Sequence, residues 1–221
     1  MNILAFDTSA ESCSVALRTA TQCLEKINKE PKQQAERLLP MINALLHDAG
    51  IDRQALDGIA ITHGPGAFTG VRIAISAAQG LAYGLNLPVV TVSTLQVLAQ
   101  GAYRLSGARH VLSMLDARMN EVYWGAYRLN PDHLMVRCVD DRVSSPEAVA
   151  LPDDFLKHWV GVGSGFVTYP ETISGLSILP AAVPEAIDII TLSLPYFHAG
   201  QTLTAENVLP VYLRDRVARV L

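Results

Sequence analysis

The chain has 221 residues, 50% apolar and 17% charged, enough to bury one large core or two small ones without staples and far from the composition of disorder. Its 17 Lys and Arg against 21 Asp and Glu leave a net charge of −4, a poor footprint for a protein that grips a phosphate backbone by itself. Cys13, Cys23 and Cys138 show no C-x-x-C spacing, which excludes a disulfide framework or zinc knuckle, and no leader or apolar run of roughly 18 to 20 residues appears, so a soluble cytoplasmic protein is expected.

Asn2 to Ala10 reads as a buried strand, and Ser12 to Arg18, alternating Cys13, Val15 and Leu17 with polar or small neighbours, as a second. The turn between them holds Asp7, Thr8, Ser9, Ala10 and Glu11, and a third strand around Cys23 to Lys29 completes a meander. After Pro31 the period becomes helical: Ala35, Leu38, Leu39, Ile42, Leu45, Leu46 and Ala49 fall on one stripe that Gly50 ends. Pro40 lies inside that stripe, where a kink or a fresh start is expected.

Ile59 to Thr62 is a short strand, followed by a glycine-rich loop from Gly64 to Gly70. The next helix carries Val71, Ala74, Ile75, Ala78, Leu81, Ala82 and Leu85 on one apolar stripe. Ala77, Gly80 and Gly84 lie on its other side, where small side chains admit a closely packed helix, either internal or from a partner. Pro88 to Val92 reads as a strand and Thr94 to Leu105 as a helix.

Val111 to Leu115, Asp116, Glu121 and the strand Val122 to Tyr127 then echo Ile3 to Phe6, Asp7, Glu11 and Cys13 to Leu17. Two unrelated turn aspartates give the same pattern, so duplication is one of two readings. Beyond Arg142 the prolines Pro146, Pro152, Pro170, Pro180 and Pro184 punctuate short elements, with a strand at Trp159 to Val162 and a helix at Ala186 to Ala199 containing Pro195.

Two features bear on chemistry. From His63 to Arg72, glycines let backbone amides approach a ligand ahead of a helix N-terminus, an arrangement suited to an anion, although a tight strand-to-helix turn needs the same residues. It lacks the G-K-[ST] ending of a P-loop. Asp7 and Asp116 each end an apolar strand, the usual place for a metal- or phosphate-contacting carboxylate and equally for a turn cap. The candidate nucleotide or anion contacts are therefore Asp7, Thr8, Gly64, Gly66 and Asp116. The histidines His47, His63, His110, His133, His158 and His198 show no helical pair spacing, and Gly161 to Gly165 is no nucleophile elbow, so no catalytic or metal-binding residue is assigned.

Taken together, Ile3-Leu4-Ala5-Phe6-Asp7-Thr8-Ser9, His63-Gly64-Pro65-Gly66-Ala67-Phe68-Thr69-Gly70-Val71-Arg72, Val92-Ser93-Thr94-Leu95, Asp116-Ala117-Arg118, Glu121-Val122-Tyr123-Trp124, Gly161-Val162-Gly163-Ser164-Gly165 and Pro210-Val211-Tyr212-Leu213-Arg214 resemble the TsaB family, also called YeaZ, over essentially the whole chain. The resemblance implies an α/β, duplicated, actin-like and Hsp70-like (ribonuclease H-like) fold with subdomains at 1–105 and 106–221, the last helix packing back on the first. It implies a supporting role in forming N6-threonylcarbamoyladenosine (t6A) at position 37 of tRNAs that read codons beginning with A. There a separate enzyme supplies threonylcarbamoyl-AMP, and TsaD transfers the group with help from this family and the ATPase TsaE. TsaD carries a V-N-H-x-E-G-H metal motif where this chain reads Val92-Ser93-Thr94-Leu95-Gln96-Val97-Leu98, so Thr94 and Leu98 replace both histidines. That departure implies a subunit without its own enzyme activity or cofactor, and it argues against a peptidase.

Family members pair with TsaD, or with themselves, through the two helices of the first subdomain. The matching helices are Gln33 to Ala49 and Gly70 to Leu85, with Leu38, Ile42, Phe68, Thr69, Gly70, Arg72, Ala77, Gly80 and Gly84 as the implied partner interface. ATP or ADP is placed at the complex interface, and tRNA is met only through the complex. The competing readings are an independent ATP-using enzyme with Asp7 and Asp116 near the phosphates, and an RNA-binding protein using Arg214, Arg216 and Arg219, for which a solvated tail is the plainer account.

Overall fold

The computed structural model describes residues 1–152, 158–179 and 182–214. The first half forms β1 (Ile3–Asp7), β2 (Cys13–Arg18), β3 (Cys23–Asn28), α1 (Gln34–Ala49), β4 (Gly58–Thr62), α2 (Phe68–Leu85), β5 (Val89–Val92) and α3 (Thr94–Ser106). The second forms β6 (His110–Arg118), β7 (Glu121–Leu129), β8 (Met135–Ser144), β9 (Trp159–Val162), α4 (Gly165–Thr168), β10 (Ser177–Leu179) and α5 (Ala186–His198). One sheet has the order β3-β2-β1-β4-β5 and the other, read from its far edge, β8-β7-β6-β9-β10. In each, the first three strands pair antiparallel and the fourth and fifth join parallel. The Asp7 and Asp116 echo is therefore a duplication: Asp7 ends β1 and Asp116 lies two residues before the end of β6, each in the first strand of the same five-stranded pattern.

Strand periodicity decides the layers. Leu4 and Phe6 face α1 and α2, whereas Ile3 and Ala5 face α5. In the second sheet Val111 and Leu115 face α3, and Leu112 and Met114 face the outer segments around Val149, Phe166 and Leu176. The order is α1 and α2, first sheet, α5 and α3, second sheet, outer segments. Both sheets are covered on two sides, which is why their strands read as continuous apolar runs. Among the described residues no helix is long and apolar enough to cross a membrane.

The helices in the middle layer are fixed by polar contacts from distant parts of the chain. The first amides of α5 are taken up by β2 and β3: Ala186 N–H donates to Ser14 Oγ at 2.8 Å and Ile187 N–H to Glu25 Oε1 at 3.1 Å. From α3, Arg104 makes a two-point contact with the buried Asp188, both at 2.9 Å, and also pairs with Glu185. Burial pushes the Asp188 carboxyl up, and Arg104 opposes that shift. Asp188 in turn holds the Arg104 guanidinium firmly protonated.

Three expectations change. α1 runs through Pro40 without interruption, because the proline lies on its exposed side, where the carbonyl it leaves free meets water. β8 and β10 were not legible as strands. β8 is an edge strand with only Met135 buried and two register shifts against β7, so its alternation is broken. Replacing Arg104 with Ala leaves Asp188 buried and unpaired, and a urea or thermal melt at neutral pH should record a loss of about 3 kcal/mol or more.

Candidate functional site

The crevice at the carboxyl ends of β1 and β4 is where an α/β sheet takes a ligand, and here the chain fills it. Gly70 lies so close to the preceding turn that a Cβ would stand 2.0 Å from the Thr8 carbonyl oxygen, and one on Gly66 would stand 2.6 Å from that of Ser9. Thr8 Oγ1 donates to the Gly70 carbonyl at 2.7 Å. Asp7 is fully buried: Oδ1 accepts the Ser9 N–H at 3.1 Å, and Oδ2 accepts Ser9 Oγ at 2.7 Å and the Thr62 hydroxyl. Burial pushes its carboxyl up to about 6, against the pull of those donors. His63 is held neutral, lowered to about 4 by burial and the nearby Arg137 cation, so it brings no charge for an anion.

The C-terminal segment closes the front. Val208 is buried in the first core and its carbonyl accepts Gln79 Nε2 at 3.0 Å. Val211 N–H donates to the His63 carbonyl at 2.9 Å, and its own carbonyl oxygen lies 3.1 Å from where a Cβ on Gly64 would sit. Arg214 then reaches the other half, donating to the Ala117 carbonyl at 3.1 Å and pairing with Glu121 across a turn in which Arg118, Met119 and Asn120 are all left-handed. Asp116 holds that turn: Oδ1 accepts the Arg118 N–H at 2.7 Å, and the side chains pair at 3.1 Å.

Four of the five candidate anion contacts, Asp7, Thr8, Gly64 and Gly66, are thus occupied by the chain's own packing, and Asp116 by its own turn. The tight-turn reading of the glycine loop accounts for its sequence. Arg214 is a strap residue with a side chain 17% exposed, which corrects its reading as a solvated tail. Arg216 and Arg219 lie outside the described residues.

The outward face of α1 and α2 is different. Between them runs a groove of about 620 Å³ lined by Leu38, Leu39, Phe68, Thr69, Arg72 and Ala77, among others. Its rim exposes Leu39 (51%) and Phe68 (54%), and further along α2 stands Tyr83 at 83%. A Cβ on Gly80 or Gly84 would meet nothing within 4 Å, so the neighbour that the small-residue stripe admits is not found among the described residues. Two expected interface residues are corrected: Ile42 is 3% exposed and belongs to the first core, and Gly70 is buried against Thr8, whereas Leu38, 1% exposed, belongs to that core and also floors the groove. Ala35 and Leu39, placed by their spacing on the core stripe, are the exposed ones. Tyr212, 52% exposed, was missed; it extends the rim from the strap, which periodicity does not register.

A strand order used twice, with helices sandwiched between the sheets, defines an α/β protein of the duplicated actin-like class. Residues 28–154 match the family described as TsaD, tRNA N6-adenosine threonylcarbamoyltransferase. The chain is 40% identical to the tRNA threonylcarbamoyladenosine biosynthesis protein TsaB of Escherichia coli K12, over 99% of this chain and 96% of that one. It is 34% identical to TsaB of Haemophilus influenzae, over 98% and 95%. YeaZ from Pseudomonas aeruginosa superposes with a TM-score of 0.90 at 44% identity, covering 96% of this chain and 99% of that one. The chain belongs to the TsaB family of tRNA threonylcarbamoyladenosine biosynthesis proteins.

Two glycines separate packing from docking. Gly70→Ala should cost on the order of 3 kcal/mol in a urea titration, since backbone faces the new methyl. Gly80→Ala, in open space within a helix, should gain about 0.5–1 kcal/mol. Asp7 has a raised folded pKa, so its ionisation disfavours the fold: wild-type stability should fall between about pH 4 and pH 6 by on the order of 3 kcal/mol relative to Asp7→Asn, and stay lower above that window. Parallel pH–stability curves for the two proteins would exclude this assignment.

Proposed function

We propose that this chain is a non-catalytic supporting subunit of the bacterial complex that forms t6A at position 37 of tRNAs reading ANN codons, and that it binds and activates TsaD through the outer face of α1 and α2. The observation that carries this is the apolar surplus of that face. The helices have more apolar surface than the first core uses, and the excess forms one groove continued by the open ledge of Gly80 and Gly84. Such a patch suits a protein partner, and the small residues suit a helix laid close.

The non-catalytic reading draws on the site's chemistry. Among the described residues no group of three or more His, Cys, Asp or Glu is placed to hold a metal ion. Thr94 and Leu98, at the positions of the paralogue's histidines, are 0% and 1% exposed within the structure. The crevice residues that an independent ATP-using enzyme would need make packing contacts within the chain, which supports a reading in which ATP or ADP is bound at the complex interface. TsaE joins the same assembly, tRNA is met only through it, and the free protein pairs two copies by the same face in the cytoplasm.

In a reconstituted reaction with TsaD, TsaE, ATP, tRNA and a source of threonylcarbamoyl-AMP, t6A should form only when this chain is present, and this chain alone should transfer nothing. Gly80→Trp should leave the isolated protein folded, with the far-UV circular dichroism of wild type, yet fail to co-purify with TsaD. Unchanged co-purification would remove the face from consideration, and transfer by the lone chain would make it an enzyme.

A further inference from the structure

One end of the groove carries a prepared cation. Arg72 is exposed on α2, its guanidinium carbon 3.6 Å from the Phe68 ring centroid and 5.8 Å from that of Tyr212. Its Nε donates to Tyr212 Oη at 3.1 Å, and the two rings stand 6.2 Å apart with 32° between their planes. Arg37, Arg104, Arg118, Arg137 and Arg214 each pair with a carboxylate. Among the described residues Arg72 has no such partner, and its terminal nitrogens are uncommitted. The rotamer freedom that a long side chain loses on binding has here been lost in folding, through the stack and the hydrogen bond.

The surroundings indicate the counter-group. Among the described residues Arg72 is the single charged one in the groove lining, whose remainder is apolar apart from the hydroxyls of Thr69 and Ser76. A phosphate would call for several cations or a nest of amides. One guanidinium with its terminal edge free, on an apolar floor, matches a single carboxylate held bidentate. Among the described residues the lining contains no carboxylate, so a second copy laid groove to groove brings none from these residues.

We propose that Arg72 is the ionic specificity determinant of the docking face, taking an Asp or Glu side chain of TsaD, with Phe68 and Tyr212 as positioning residues. This rests on the reading that TsaD docks here. It adds the chemistry that selects the partner: apolar contact supplies area, and the pre-set guanidinium favours a surface with an acid at that point over one without.

The test is calorimetric titration of the full-length chain with purified TsaD at about 0.05 M and about 0.5 M salt. Arg72→Gln should weaken binding about 10-fold or more at low salt and flatten the salt dependence. Arg72→Lys should restore the salt dependence but only part of the affinity, since an ammonium lacks the planar fork. Tyr212→Phe keeps the ring and removes the hydroxyl; it should weaken binding less, and combined with Arg72→Gln it should add nothing further. Melting temperatures and self-association should not change. If wild type fails to bind TsaD, the docking reading falls and this inference with it. If wild type binds and Arg72→Gln matches it in affinity and salt slope, docking stands and the ionic determinant is refuted. Loss of self-association alone in Arg72→Gln would assign the acid to a second copy and also overturn the proposal.

Discussion

The architecture depends on one close approach of backbone to backbone. The turn after β1 and the start of α2 touch where Gly70 meets the Thr8 carbonyl and Gly66 meets that of Ser9, at distances that leave no room for a side chain. The second half repeats the device: Gly163, left-handed like Gly64, and Gly165 press against Met114 on β6. Each contact docks a helix start against the carboxyl end of the first strand of its sheet. The same approach fills the crevice that such a fold otherwise opens to a ligand. The glycines that suggest an anion site are the ones this close packing requires.

Once the crevice is closed, the two halves differ chiefly in what covers their outer faces. Between β3 and β4, and again between β4 and β5, the first half inserts α1 and α2, of 16 and 18 residues. Between β9 and β10 the second half has only the four-residue α4. The equivalent helices that follow the fifth strands, α3 and α5, are both taken into the middle layer and clamped there by Arg104, Ser14 and Glu25. Duplication thus supplies the rigid frame, and the departure from it supplies the long outward helices on which the apolar groove lies.

Much of the frame was legible because both sheets are buried on two sides, so strands such as Ile3–Asp7 and Trp159–Val162 appear as short apolar runs ended by turn residues. The elements that escaped are those with weak or mixed burial. β8 carries Arg137, Asp140, Asp141 and Arg142 along a sheet edge, and charge there is what an edge strand uses to avoid further pairing. On α1, periodicity cannot divide a broad apolar stripe into core and surface: Leu38 and Leu39 are adjacent and chemically identical, yet one is 1% and the other 51% exposed. That division depends on where the sheet ends beneath the helix, which is a tertiary fact. The strap was hidden for a related reason, since its contacts join Val211 to His63 and Arg214 to Glu121, pairs far apart in the sequence.

The strap also links the two regions that the fold keeps apart. Within a few residues it touches the glycine loop through Val211, the groove end through Tyr212 and the β6–β7 turn through Arg214. Tyr212 cannot be set against Arg72 unless Val211 holds the strap to His63 on one side and Arg214 holds it to the second sheet on the other. The electrostatics of the groove follow from that geometry. A chain of net charge −4 presents, at the mouth of its apolar groove, a cation with no carboxylate among the described residues of the lining. The local sign of the face is therefore opposite to that of the molecule, and the cation is held by the Phe68 ring from α2 and by the Tyr212 hydroxyl from the strap.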